Sequence, residues 1–147
     1  MRKLMPTNYF LILLVLLIIF HFALPLVKFD YSPYNYLGIV LILLGCAINL
    51  WADVLMKKRD TTVKPHLKPS TLINSGPFGF TRHPMYLGML SILLGAAIIA
   101  ASLISFIFPL IYIILMEILF IPIEEKNLEE AFGSGYIDYK KKVRRWI

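Results

Sequence analysis

Long apolar segments alternate with short polar ones along this chain, and they predict helices that cross a membrane. Residues 9–27 and 36–56 each approach the ~20 residues that a helix needs to span ~30 Å of hydrocarbon. Between residues 85 and 123 the only charged side chain is Glu117. A single helix of that length would reach about 58 Å, nearly twice the bilayer thickness. We therefore predict that this segment turns back on itself within residues 100–105.

The predicted fold class is all-α: a polytopic membrane helix bundle with about four transmembrane helices in one domain covering residues 1–147. The spans are expected at about 9–27, 36–56, 85–101 and 104–123, with a polar loop at 57–83 and a tail at 124–147. Spans three and four form a helical hairpin in this prediction.

The tail has its own periodicity. Apolar side chains recur at three- and four-residue steps between Leu128 and Trp146, with a break at residues 133–135. This pattern predicts two short helices, of which the second is apolar on one face and basic on the other. A helix of that kind is expected to lie in the lipid interface.

Composition and charge agree with a membrane protein and predict its orientation. Of the 147 residues, 59% are hydrophobic and 16% charged, and the mean hydropathy is +0.73, outside the usual range of soluble domains. All 15 Lys and Arg residues except Lys28 fall on one side of the predicted spans. The positive-inside rule then places both termini in the cytoplasm. The membrane is expected to be the inner or plasma membrane if the protein is prokaryotic and the endoplasmic reticulum if it is eukaryotic. The net charge of +6 indicates attraction to anionic membrane lipids and requires no nucleic-acid partner.

Polar and rigid residues stand directly before the third span. Arg82 and His83 precede Pro84, which is predicted to begin the helix because proline loses no hydrogen bond in a first turn. The free N–H groups there would favour a carboxylate or phosphate. The alternative is that Arg82 reaches to lipid phosphate and His83 is an ordinary interfacial residue.

Acidic residues mark the fourth span. Glu124 and Glu125 end it, where two acids oppose the helix dipole and favour a cationic ligand or, alternatively, pairing with nearby lysines. The hairpin would bring them opposite the segment before the third span. Glu117 lies on nearly the same helical face as Glu124. An ionisable residue at that depth indicates either a polar cavity or interhelical packing.

Two motifs resemble a known family. "LINSGPFGFTRHPMYLG" and, after the hydrophobic hairpin, "EEKNLEEAFGSGYIDYKKKVRRWI" resemble the isoprenylcysteine carboxyl methyltransferases and the related phospholipid methyltransferases. The resemblance covers about residues 71–146, half of the chain. It implies an integral membrane methyltransferase that uses S-adenosylmethionine, bound between the third helix, the fourth helix and the C-terminal segment.

The resemblance also implies individual site residues. Its cofactor contacts fall on Ser70, Thr71, Leu72, Ile73, Phe78, His83, Pro84, Met85, Tyr86, Glu124 and Glu125. The candidate catalytic residues are Glu117, as a base for an amine acceptor, and Arg82. Arg82, Arg144 and Arg145 are alternative candidates to recognise the substrate. No metal site is predicted.

One departure from the family concerns the substrate. The isoprenylcysteine enzymes have a substrate-contacting arginine four residues before the first glutamate of the pair, and this chain has Phe120 there. We therefore expect a lipophilic, membrane-dissolved acceptor, with a slight preference for an amine or another non-carboxylate group. Membrane lipids are the other expected contacts, and no obligate protein partner is indicated. The alternatives are a noncatalytic four-helix subunit and, less in keeping with the short chain, a relative of the sterol reductases that would bind a nicotinamide cofactor.

Overall fold

The computed structural model describes residues 5–24, 33, 35–61 and 69–147, and within these ranges the chain is helical without a β-strand. Its helices are α1 (Pro6–Ala23), α2 (Asn35–Lys58), α3 (Pro84–Ala100), α4 (Ile107–Leu115), α5 (Ile121–Phe132) and α6 (Ser134–Lys142). Short 3₁₀ turns occupy Gly76–Gly79 and Leu103–Phe106, and a π-helical segment occupies Met116–Phe120.

The predicted all-α membrane bundle is confirmed. Among the described residues, Pro6–Ala23, Asn35–Lys58 and Leu103–Phe132 are long and apolar enough to cross a membrane, and the apolar helix Pro84–Ala100 is shorter. These four stretches correspond to the four predicted spans. The end of the first predicted span, residues 25–27, and most of the outer loop lie outside the described residues.

Helices α2 and α3 run antiparallel and touch through two pairs of glycines. A Cβ atom at Gly38 would overlap the carbonyl oxygen of Gly95, and one at Gly45 would overlap that of Gly88. The two glycines on each helix are about two turns apart, so both pairs lie along one line of contact. Small residues of this kind let membrane helices approach until their backbones meet. The same line continues to Ala52, which is fully buried at the end of α2 next to the polar loop.

The hairpin between α3 and α4 turns in the predicted region. Ala101 ends α3 with a φ of 48°, and the buried Ser102 accepts a hydrogen bond from Ser105 N–H at 3.0 Å. Helix α1 packs against this hairpin through edge-to-face aromatic pairs, Tyr9 with Phe120 and Phe20 with Phe108. The beginning of α1 and the beginning of α5 therefore lie at the same end of the bundle.

The fourth span differs from its prediction in one respect. Instead of ending near residue 123, the helical stretch continues without a break to Phe132, for 30 residues in all. The π-helical segment before Pro122 explains this continuity, because Ile121 N–H bonds to the carbonyl of Met116, five residues earlier. A wider turn relieves the clash that a proline ring causes in a regular α-helix. Gly133, with a φ of 52°, then ends α5 and separates it from α6.

Candidate functional site

The segment before α3 is held rigidly. Helix α3 begins at Pro84, as predicted from the sequence. The backbone N–H of His83 donates to Thr81 Oγ1 at 3.2 Å. On the other side of the segment, the Tyr139 hydroxyl of α6 donates to the carbonyl oxygen of Phe78 at 2.7 Å. The residues that enter α3 are therefore fixed by contacts with their own loop and with the C-terminal helix.

The two glutamates of α5 enclose the His83 ring. Glu124 Oε2 lies 3.5 Å from His83 Nδ1, and Glu125 Oε1 lies 3.5 Å from His83 Nε2. The Tyr86 hydroxyl donates to Glu124 Oε2 at 2.9 Å, and its ring stacks on that of His83 with a centroid separation of 5.5 Å. The predicted meeting of the Arg-His-Pro segment and the acidic pair across the hairpin is present in the structure.

Arg82 is buried beside this cluster with unused hydrogen-bonding capacity. Its side chain is 8% exposed, and Nη2 lies 3.2 Å from Glu125 Oε1. Among the described residues, neither Nε nor Nη1 has a hydrogen bond of good geometry, and the buried Tyr136 hydroxyl is the neutral group that interacts with this guanidinium. Burying guanidinium N–H groups without partners is costly, so Arg82 is suited to receive an anionic group.

A cleft of about 300 Å³, partly open to solvent, lies at this end of the hairpin. Its lining residues are Met56, Phe78, Arg82, His83, Pro84, Met85, Tyr86 and Glu124. The lining therefore combines two opposite charges, stacked rings and apolar side chains.

The cleft brings together most of the residues singled out in the sequence, but not all of them. Residues 70–73, Glu117 and Glu125 do not line it. Within that loop, Ser70 donates to the carbonyl oxygen of Asp60 at 2.7 Å, and Ile73 is buried. Met56 lines the cleft without having been predicted. Its position in the last turn of α2, next to the polar loop, is the sequence signal that could have indicated it.

Phe120 is the position at which the sequence departs from the isoprenylcysteine enzymes. Its side chain is 3% exposed, belongs to the hydrophobic core and contacts Tyr9 of α1, with ring centroids 5.4 Å apart. It does not line the cleft. The structure therefore gives no support to a preference for one acceptor headgroup based on this residue.

Glu117 is engaged by the C-terminal residues. Its Oε2 accepts a hydrogen bond from Arg145 Nη1 at 2.7 Å, and its Oε1 accepts one from Trp146 Nε1 at 2.6 Å. Both carboxylate oxygens thus have charged or polar partners outside the cleft. Of the two roles left open by the sequence, this geometry favours packing between segments over action as a base.

Comparison with known proteins identifies the family. The model of the phospholipid methyltransferase family matches residues 34–135. The chain belongs to this family. The matched range includes α2, α3, Glu124 and Glu125, and it ends at the second residue of α6.

Two individual proteins are also similar to this chain. Over 63 residues the chain is 38% identical to an uncharacterized protein of Haemophilus influenzae. The aligned residues cover 43% of this chain and 100% of that protein. Over 75 residues it is 35% identical to the protein-S-isoprenylcysteine O-methyltransferase of Saccharomyces cerevisiae, covering 49% of this chain and 30% of that enzyme.

A solved structure shares the fold. The eukaryotic intramembrane Ras methyltransferase, isoprenylcysteine carboxyl methyltransferase, superimposes with a TM-score of 0.70 over 96% of this chain and 51% of that one, at 23% identity. At this identity the similarity shows the fold alone. This member of the phospholipid methyltransferase family thus corresponds to about half of that protein's length.

The environment of His83 in this family member determines its charge. Burial alone would lower the pKa of the imidazole, but hydrogen bonds and charge attraction from Glu124 and Glu125 outweigh burial and raise the pKa above its ordinary value of 6.5. The protonated imidazole is therefore the form that the two carboxylates stabilise.

We expect the contribution of His83 to stability to depend on pH. Because the folded-state pKa lies above the unfolded value of 6.5, the stabilisation is fully present below pH 6.5 and is lost as the pH rises through the folded-state pKa. Thermal unfolding of the wild type and of His83→Gln, compared at pH values from acidic to alkaline, should give a difference in midpoint that shrinks with rising pH. A difference that grows with pH would show that His83 is held neutral.

Proposed function

We propose that this protein is a membrane methyltransferase that moves a methyl group from S-adenosylmethionine to a lipophilic acceptor dissolved in the bilayer. The observation that carries the proposal is the cleft at the hairpin mouth, where His83, Tyr86 and Glu124 meet beside the partly unpartnered Arg82. Membership of the phospholipid methyltransferase family supports it. The methyltransferase activity of the yeast relative and of the solved structure is consistent with it.

The residues of the cleft fit the proposed cofactor chemically. S-adenosylmethionine carries a carboxylate, an ammonium, a sulfonium and a flat adenine ring. The free N–H groups of Arg82 and the first turn of α3 suit the carboxylate, and Glu124 suits a cationic group or a ribose hydroxyl. Phe78, which lines the cleft, is an aromatic side chain suited to contact the adenine.

The tasks of this chain in the reaction are alignment and exclusion of water. The bound cofactor supplies an electrophilic methyl group on positively charged sulfur. Displacement at such a carbon requires the acceptor atom to be held in line and close, which depends on rigid walls. The paired glycines between α2 and α3 and the fixed entry to α3 supply that rigidity.

The acceptor is proposed to enter from the membrane. Met56 and Met85 give the cleft apolar walls, and Met56 belongs to α2, a helix whose outer surface is largely exposed apolar side chains.

A carboxylate acceptor needs no base, whereas a protonated amine must first lose a proton. Among the described residues lining the cleft, the candidates to accept it are the carboxylate of Glu124 and, in its neutral form, the imidazole of His83. We propose that this end of the bundle faces the cytoplasm, as the distribution of basic residues predicts.

The acceptor class is tested by transfer of label. Purified protein is incubated with methyl-labelled S-adenosylmethionine and either prenylated cysteine analogues or amine-headed phospholipids, and label is followed into the organic phase. We expect label in one of the two sets, its near-complete loss in Glu124→Gln, and its retention in Glu129→Gln, which removes a charge from an exposed position on the same helix. Absence of label from both sets, in protein that binds the cofactor, would contradict the proposed acceptor class.

A further inference from the structure

The last residues of the chain fold back onto the segment before α3. The backbone N–H of Arg82 donates to the carbonyl oxygen of Arg144 at 3.0 Å, and the Thr81 hydroxyl donates to that of Arg145 at 2.9 Å. Thr81 is buried, and the same hydroxyl accepts from the N–H of His83. We call residues 143–147 the C-terminal strap. It lies beyond the range that matches the family model.

Arg145 is the side chain through which the C-terminal strap binds to α5. Its guanidinium pairs in a two-pronged arrangement with Glu125, with Nε 3.1 Å from Oε1 and Nη2 2.7 Å from Oε2. Its third nitrogen, Nη1, reaches Glu117 Oε2 at 2.7 Å. All three nitrogens are thus committed to carboxylates, and hydrogen bonding and charge attraction from Glu125 and Glu117 raise the pKa of Arg145 further. The planar fork of arginine makes this arrangement specific in a way that lysine cannot reproduce.

Glu125 connects Arg145 with two residues that line the cleft. Its side chain is 7% exposed, and its Oε1 faces both Arg82 Nη2, at 3.2 Å, and His83 Nε2, at 3.5 Å. Glu125 itself does not line the cleft, whereas Arg82 and His83 do. The orientation of Glu125 therefore determines where its negative charge lies relative to Arg82 and His83.

We propose that Arg145 is a positioning residue: its guanidinium fixes the carboxylate of Glu125, which in turn holds His83 and Arg82 in the orientation and charge state required at the cleft. Arg145 touches neither the cleft nor, by this proposal, the ligand. The strap thereby completes the site from the far end of the chain. The part of the inference that concerns ligand binding rests on the proposed function, and the part that concerns His83 does not.

Titration of His83 in the ligand-free protein tests the proposal directly. The groups that face this imidazole are Glu124 and Glu125 of α5 and Tyr86 of its own helix, with Arg82 adjacent in sequence. If Arg145 neutralises part of the Glu125 charge, then Arg145→Gln leaves that carboxylate free to favour the imidazolium. The midpoint of the His83 titration should then rise.

The measurement uses NMR of labelled imidazoles in the full-length protein. The chain has three histidines, so His83→Gln assigns the signal. We expect a rise of the midpoint by about half a pH unit or more in Arg145→Gln and an intermediate change in Arg145→Lys, which keeps a charge without the fork. Arg144→Gln is the matched control, because Arg144 is exposed and contributes its backbone carbonyl to the strap. A midpoint in Arg145→Gln and Arg145→Lys equal to that of Arg144→Gln would overturn the proposal.

Ligand affinity provides the second arm of the test. S-adenosylhomocysteine should bind about tenfold or more weakly to Arg145→Gln than to the wild type, with partial recovery in Arg145→Lys and none of the loss in Arg144→Gln. If the wild type binds and Arg145→Gln binds equally well, the positioning role fails. If the wild type does not bind at all, the proposed function fails, and the His83 titration still decides whether Arg145 positions the cluster.

Discussion

Replacing Glu125 with alanine is expected to destabilise the protein by about 3–5 kcal/mol, the range measured when one member of a buried ion pair is removed. Glu125 is 6% exposed and is the shared partner of Arg145, Arg82 and His83. Without it, the guanidinium of Arg82, itself 8% exposed, keeps its charge in a buried site and loses the carboxylate that lies 3.2 Å from Nη2. The loss should appear as a large drop in the apparent midpoint of thermal or denaturant-induced unfolding in detergent.

Glu129→Ala is the control for this experiment. Glu129 lies on the same helix, its side chain is 50% exposed, and it meets Lys140 only at 3.9 Å. Removing an exposed pair of this kind is expected to cost less than about 1 kcal/mol. Equal effects of the two substitutions would contradict the view that Glu125 holds the buried charges together.

Gly45→Ala is expected to have the second largest effect on stability, after the loss of Glu125. A methyl group at this position overlaps the backbone oxygen of Gly88, which cannot rotate away as a side chain would. The helices must separate, and overpacking of this kind typically costs about 1–3 kcal/mol. Because the first turn of α3 lines the cleft together with Met56 of α2, we expect ligand affinity to fall along with the unfolding midpoint.

Gly135→Ala separates this packing effect from the general effect of adding a methyl group. Gly135 lies in α6, and a Cβ atom there meets none of the described residues within 4 Å. Alanine is the better helix former, so this substitution should leave stability unchanged or raise it slightly. If Gly45→Ala were equally harmless, the close approach of α2 and α3 would not be a requirement of the fold.

The number of membrane helices could be predicted from the sequence because the length of each apolar segment can be compared with the length a helix needs to cross the bilayer. Proline and small residues also predicted where elements begin and turn. Pro84 begins α3, and the hairpin turns between Ala100 and Ser105, as expected. The glycine pairs were not predicted. Gly38 and Gly45 are visible in the sequence, but which partner they face depends on how the two helices are aligned, which no local pattern encodes.

The meeting of the Arg-His-Pro segment with the acidic pair was predicted from the hairpin, whereas the cofactor contacts were assigned from the motifs and stay a prediction. His83, Tyr86 and Glu124 do meet, because a hairpin brings the start of one span next to the end of the other. The partners of Glu117 were missed. They lie in the last residues of the chain, and a contact over that sequence separation is fixed by the fold-back of the C-terminal strap.

The position of Phe120 shows a limit of inferring a substrate from a single aligned residue. The family pattern places a substrate-contacting arginine there, while the structure places this side chain in the core against Tyr9. An arginine at that position would bury an uncompensated charge, which is costly in any apolar interior. Phe120→Arg therefore tests stability before it tests specificity, and the lipid-labelling experiment is the better probe of the acceptor.

Calorimetric titration of the purified protein with S-adenosylhomocysteine tests the central claim most directly. We expect one site per chain in the wild type, no comparable binding of NADPH, and a loss of about 1–3 kcal/mol of binding free energy in Glu124→Gln, which removes the charge but keeps the shape of the side chain. Glu129→Gln should bind as the wild type does. An affinity unchanged by Glu124→Gln would remove this residue from the site, and a wild type that binds NADPH or neither compound would contradict the assignment of the cleft to S-adenosylmethionine.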